Sequence, residues 1–290
     1  MLNTESARHR LLTLATKASV ATAFVLIIAK VVAWSLTGSV SILASLVDSM
    51  MDALASLINF FAVRYSLQPA DDEHRHGHGK AEALAALAQS AFIAGSAFFL
   101  VVESIDRIFQ PQPTVQIETG IGVIAFTILL TAALVLFQRY VIARTGSQAI
   151  KADSLHYMTD LATNSGILIT LLLVNAGWGD LDSWFALLIA AYILQSAWVI
   201  AKEAMDLLMD RELPPSVQAK IDELVREHPE VMGMHKLRTR QSAQTYFIQM
   251  HLEINGLLTL RESHRIADQL EQKIKAIYPT ADVIIHQDPV

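Results

Sequence analysis

The sequence predicts a membrane all-α bundle of six transmembrane helices over residues 1–211, followed by a C-terminal α+β cytoplasmic domain over residues 212–290. Three observations carry that division. Six apolar runs, each near the roughly 20 residues that cross a bilayer, fill the first part. Lys and Arg collect at alternate ends of those runs. Beyond Glu212 the pattern changes to amphipathic helices and a strictly alternating strand. Composition agrees: the chain is 53% hydrophobic and 17% charged, against about 25% charged in soluble domains. Its mean hydropathy is +0.39.

The runs are Leu12–Leu36, Val40–Ser66, Ala81–Phe109, Glu118–Ala143, Ala149–Asn175 and Leu181–Met209. The first is too long, and too poorly followed by small residues, to read as a cleaved signal peptide. Arg8 and Arg10 precede it. Arg64, Arg75 and Lys80 follow the second run, Arg139, Arg144 and Lys151 the fourth, and Lys202 and Arg211 lie at the exit of the sixth. The turns Thr37–Gly38, Gln110–Ile117 and Ala176–Asp182 have neither Lys nor Arg. The positive-inside rule then predicts both termini in the cytoplasm and the bare turns outside.

In the second part, Pro214–His228 places Val217, Ile221, Leu224 and Val225 on one helical face. Along Tyr246–Ile254, Tyr246, Ile248, Met250, Leu252 and Ile254 share one strand face, and Phe247, Gln249, His251 and Glu253 the other. Ser263–Tyr278 reads as a second helix, introduced by Thr259 and Glu262 at capping-box spacing. With strands near Gly233–Arg240 and Val283–Asp288, the order is α-β-β-α-β, a small two-layer sandwich.

The second run contains Asp48-Ser-Met-Met-Asp52 and the fifth His156-Tyr-Met-Thr-Asp160. Each pair is spaced i, i+4 and so shares a helical face. The two segments echo each other: Ala44 to Asp52 and Ala152 to Asp160 align, with Met50 on Met158. An Asp at the centre of a spanning helix costs about 2.5–3.5 kcal/mol to insert. No Lys or Arg lies within either motif, and Arg64 and Lys151 sit at the run ends, so a divalent cation is the expected partner. One such Asp is explained by a helix–helix hydrogen bond; two independent pairs are not. The chain has no Cys, which removes disulfides, thiolate metal sites and Cys nucleophiles together. One imidazole and three carboxylates suit a tetrahedral Zn²⁺-type site. Mg²⁺ and Ca²⁺ prefer six or more oxygens, whereas Cd²⁺, Fe²⁺ and Co²⁺ accept this donor set. The same ligands bind protons, so metal and proton compete for one site.

At these residues the chain resembles the cation diffusion facilitator family, and is most similar to its bacterial branch of Zn²⁺/H⁺ antiporters, also described as ferrous-iron exporters. The resemblance extends over nearly the whole chain: six spans, a polar His-rich loop after the second, and a metallochaperone-like C-terminal domain. It implies export of divalent cations by proton antiport with alternating access, from a bacterial inner membrane, by a homodimer joined through its cytoplasmic domains. It implies a second metal site in the loop at Asp71, His74 and His78, and a binuclear cytoplasmic site at His235, His251, His286 and Asp288, with His264 as a further ligand. His286 and Asp288 are i, i+2 on one strand face, in accord with that assignment. The Cys-x-x-Cys loop common in metallochaperone folds is absent, which excludes copper-chaperone chemistry. His9 and His228 match nothing and read as surface residues. The resemblance also implies a charge interlock between Lys80, opening the third span, and Asp210, closing the sixth. On that expectation, Lys80→Ala or Asp210→Ala strongly reduces transport, and the double swap recovers part of the loss. A double-mutant cycle on transport rate checks it; strictly additive effects would show that the two do not act as a pair.

Other classes fit less well. An intramembrane zinc protease wants His-Glu-x-x-His, which does not occur. A membrane metal sensor needs no four-ligand site inside the bilayer, and a metal channel needs no proton gradient. The net charge of −6 argues against a nucleic-acid partner.

Overall fold

The computed structural model describes residues 2–37, 40–109, 121–175 and 182–290. Two compact units emerge, Met1–Ala204 and Met205–Val290, so the division falls within the last turn of the sixth helix. The bare turns expected to face outward lie almost entirely outside the described residues.

The first unit is helical: α1 (Leu2–Thr37), α2 (Val40–Ser66), α3 (Lys80–Phe109), α4 (Ile121–Thr145), α5 (Gln148–Asn175) and α6 (Asp182–Leu208), whose last turn enters the second unit. The predicted bounds hold within a few residues except for α1. That helix starts at Leu2, with the mostly polar stretch Thr4 to Arg10 adding about two turns before the apolar run. Among the described residues, Ser6–Leu36, Lys80–Asp106, Ile124–Thr145 and Leu187–Leu208 are long and apolar enough to cross a membrane. The other two helices, α2 and α5, are the ones that carry the acidic motifs.

Small side chains bring the helices close, as packing in a lipid solvent requires. Ala86, Ile93 and Ala97 of α3 meet Ala152 and Leu155 of α5 and Ile193, Ala197 and Ile200 of α6. Leu12 and Ala15 of α1 meet Val63 of α2, Val141 of α4 and Ala149 and Ile150 of α5. Large apolar residues such as Phe24, Phe92, Phe99, Leu136 and Trp198 remain exposed on the outside, the surface a bilayer covers.

The second unit has the predicted order: α7 (Pro215–Arg226), β1 (Val231–Ser242), β2 (Thr245–Ile254), α8 (Leu260–Ile277) and β3 (Asp282–Pro289). The sheet runs β1-β2-β3, with β1 antiparallel and β3 parallel to β2. The apolar face of β2 packs its Ile248, Met250, Leu252 and Ile254 against Ile221 and Val225 of α7 and Ile266, Leu270 and Ile274 of α8. Phe247, on the other face, is buried as well, beneath the Arg240 guanidinium 4.0 Å from its ring centre. The capping box forms as spaced: the Thr259 side chain accepts from the Glu262 backbone and the Glu262 side chain from that of Thr259. It caps Leu260 directly, so α8 begins three residues before the expected Ser263.

His228 departs from the expected surface position. It is buried beyond the C-terminus of α7, with Nε2 3.1 Å from Gln269 Oε1 and Nδ1 accepting from the Glu230 amide. An imidazole with both nitrogens occupied fills that corner at no polar cost. His9 is half-buried on α1.

Candidate metal centre

Helices α2 and α5 bring Asp52, His156 and Asp160 together, with one ligand atom from each lying within 4.8 Å of the others. His156 Nε2 is 3.0 Å from Asp52 Oδ1 and 4.0 Å from Asp160 Oδ2. Ligands of a tetrahedral ion bonded at about 2.0–2.1 Å stand about 3.3 Å apart, so these separations bracket what Zn²⁺ requires. Nε2 is buried, and the contacts it makes are with these two carboxylates. A buried imidazole nitrogen facing two carboxylates is a position that a positive charge, a proton or a metal ion, satisfies. The side chain of Asp48, the fourth expected ligand, lies outside the described residues.

Two neighbours of the cluster escaped the sequence reading. Lys30 of α1 is buried, and its Nζ donates to Ser49 Oγ at 2.6 Å, beside Asp48 in the chain. The count of charges near the motif therefore includes a cation from another helix, which no spacing within α2 or α5 reveals. Tyr157 is the second. Its hydroxyl is 2.9 Å from Ser56 Oγ and donates to the Ser19 carbonyl at 3.1 Å. One side chain thus sets α5 against α2 and α1, next to His156.

The loop between α2 and α3 brings Asp71, His74 and His78 within reach of one ion. Asp71 Oδ1 accepts from the backbone of Glu73 at 3.0 Å and of His74 at 2.6 Å, which folds the loop into a turn. The His74 amide holds the Asp71 carboxyl below the usual carboxylate range. His78 is buried; its Nδ1 lies 3.2 Å from the Pro69 carbonyl and Nε2 3.3 Å from Asp71 Oδ2. Donation from Nδ1 to a carbonyl leaves Nε2 with its lone pair toward the cluster, the arrangement a metal ligand needs.

In the second unit, sheet register assembles a third cluster. His235 stands opposite His251, and His251 opposite His286, so the three imidazoles form one row across three strands. Their ring centres are 5.1 and 4.6 Å apart. Asp288 reaches all three, with contacts of 3.1 Å to His235, 2.9 Å to His251 and 3.2 Å to His286. Its hydrogen bond with His251 holds its carboxyl below the ordinary value. His235, His251 and Asp288 make the tight group. Glu253, whose Oε1 is 3.1 Å from His235 Nδ1, also belongs here; it shares the parity of His251, the signal by which it was findable. The ladder is irregular between His235 and Arg238, with Lys236 at φ 51°, and this bulge directs His235 toward the row. His264 is exposed on α8 and is not in the tight group.

Lys80 is half-buried at the first residue of α3. Asp210 has a left-handed backbone, φ 55°, and its Oδ1 lies 3.5 Å from Arg240 Nη1 within the second unit.

Comparison with known proteins decides the family. The profile of the cation efflux transmembrane domain matches residues 16–209, and that of the cation efflux protein cytoplasmic domain matches residues 213–290. The chain belongs to the cation efflux family. It is 50% identical over 277 residues to the cation-efflux pump FieF of Shewanella oneidensis, covering 96% of this chain and 94% of that one. To the FieF pump of Salmonella agona it is 52% identical over 280 residues, covering 97% and 93%. Among solved structures, the metal-bound C-terminal domain of the CzcD transporter from Thermotoga maritima has 24% identity and a TM-score of 0.25, covering 26% of this chain and 87% of that domain. This member of the family is thus an integral membrane transport protein with a helical transmembrane domain and an α/β cytoplasmic domain.

Proposed function

We propose that the chain exports divalent metal cations from the cytoplasm in exchange for protons, with Zn²⁺ the preferred substrate and Cd²⁺ and Fe²⁺ also accepted. The observation that carries this reading is the Asp52–His156–Asp160 cluster, a buried imidazole nitrogen facing two carboxylates in a helical membrane domain. Asp48, one turn before Asp52, completes four ligands. Every ligand in that set is protonatable, so a proton and a metal compete for the same atoms. Metal entering from the cytoplasm displaces protons there, and protons entering from outside displace metal there. Alternation of the cluster between the two sides converts that competition into coupled exchange.

In this reading residues 1–211 are the transport domain, with all six helices crossing the bilayer and both termini cytoplasmic. Residues 212–290 are a metal-binding dimerisation domain, and the protein works as a homodimer in a bacterial inner membrane. The names of the FieF relatives, cation-efflux pumps, support the direction of transport. The loop cluster and the cytoplasmic cluster each hold Zn²⁺ of their own.

The test is Zn²⁺ uptake into proteoliposomes under an imposed pH gradient, repeated with Cd²⁺ and Fe²⁺. Acidifying the outward side should accelerate export, and Zn²⁺ addition should move protons the opposite way. Flux indifferent to collapse of the gradient would make the protein a channel or uniporter.

A further inference from the structure

We propose, resting on the antiport reading, that Asp153 is a proton-binding carboxyl separate from the metal ligands, which releases its proton when a divalent cation enters the cluster one helical turn away. Asp153 is 0% exposed. Its partners come from three other helices and all are neutral: Ser19 Oγ of α1 at 2.5 Å, Gln138 Nε2 of α4 at 2.7 Å, and Gln89 Nε2 of α3 at 3.2 Å. Along the chain, the titratable residues nearest these positions are Lys17 on α1, Glu82 on α3, Arg139 on α4, and Lys151, His156 and Tyr157 on α5; Lys151 pairs with Glu203, and His156 with Asp52 of α2. Among the described residues none of them makes an ion pair with Asp153. A fully buried carboxylate whose hydrogen-bond partners are all neutral is costly, and the neutral acid avoids that cost.

Proton counting at Ser19 supports the neutral form. Its hydroxyl has one hydrogen but two acceptors in reach, Asp153 Oδ2 at 2.5 Å and the Ala15 carbonyl at 3.1 Å. When Ser19 donates to Ala15, the short contact requires a hydrogen on Asp153. Ser19 Oγ then accepts from Asp153 and from Gln138 Nε2 at 3.0 Å. When Asp153 loses its proton, the hydroxyl rotates to donate to the carboxylate. Gln138 and Gln89 donate to Asp153 in both states. The pocket therefore accommodates either protonation state by turning a single hydroxyl. The step is balanced: the Asp153 O–H bond breaks, its electron pair stays on the carboxylate, and the proton passes to water on the cytoplasmic side. The charge of a metal ion held by His156, three residues along the same helix, favours the ionised form, and departure of the metal returns the proton.

The test uses the full-length protein with Zn²⁺ as probe. Asp153→Asn keeps the shape and removes the proton. Proton release on Zn²⁺ binding, measured by calorimetry in buffers of different ionisation heat, is expected to fall by about one proton per transport site. The dependence of vesicle flux on external acidity should flatten. An unchanged proton count with an unchanged pH profile overturns the proposal, since a purely structural Asp153 would leave both where they were. If Asp153→Asn does not fold, Zn²⁺-difference infrared spectra of the wild type and Ser19→Ala decide. A protonated-carboxyl band lost on Zn²⁺ addition, and shifted by Ser19→Ala, supports it; no such band, or one that does not shift, overturns it. Wild-type flux that ignores the pH gradient refutes the antiport reading itself, a result read independently of the variants.

Discussion

Asp52→Ala is expected to abolish metal transport while leaving insertion and dimerisation intact. Asp52 is one of only four candidate ligands, and its Oδ1 lies 3.0 Å from His156 Nε2, closer than Asp160 Oδ2 at 4.0 Å. Loss of an outer partner of a metal ligand commonly costs 10–100-fold in affinity or activity. Removing a direct ligand should exceed that range, so the flux should fall by at least about two orders of magnitude. The fold should tolerate the change, because Asp52 supports no helix cap and lies outside the apolar clusters that join the helices. Asp160→Ala should behave in the same way. The measurement is Zn²⁺ flux in proteoliposomes, with the dimer fraction followed by cross-linking. Near-normal flux in either variant would sink the assignment of the transport site.

In the cytoplasmic domain the largest effect is expected from His251→Ala. His251 is the middle of the imidazole row, opposite both His235 and His286, and 2.9 Å from Asp288. A fragment of residues 205–290 contains the whole of the second unit and its core. We expect it to form a soluble dimer that binds Zn²⁺, and His251→Ala to weaken that binding by more than about 100-fold. His264→Ala, exposed and outside the tight group, should leave it within about threefold. Acidification should release the metal, since protons compete with it for the ligand atoms. Asp288 contributes to that loss last, because its hydrogen bond with His251 keeps it ionised below the usual carboxylate range. Calorimetry on the fragment and the two variants is the check; a wild-type fragment that takes up no Zn²⁺ refutes the site.

Periodicity by itself determined most of the architecture. Apolar run length located the helices of the first unit, and alternation along Tyr246–Ile254 separated the core face of β2 from the face that bears His251. The i, i+4 spacing of His156 and Asp160, and of Asp48 and Asp52, was readable because a helix turns every 3.6 residues. The capping box at Thr259 was readable for the same local reason. Tertiary structure alone decided what depends on distant segments meeting. Lys30 reaches Ser49 from a neighbouring helix, and the partners of Asp153 come from α1, α3 and α4. The row His235–His251–His286 exists because strand register aligns three residues far apart in the chain, and a bulge after His235 adjusts the first of them. His228 looked like a surface residue because nothing local shows that Gln269, on another helix, closes over it. Local pattern encodes which face of an element is apolar. Which polar groups share a pocket is set by how those faces pack, and no spacing within a single segment carries that information.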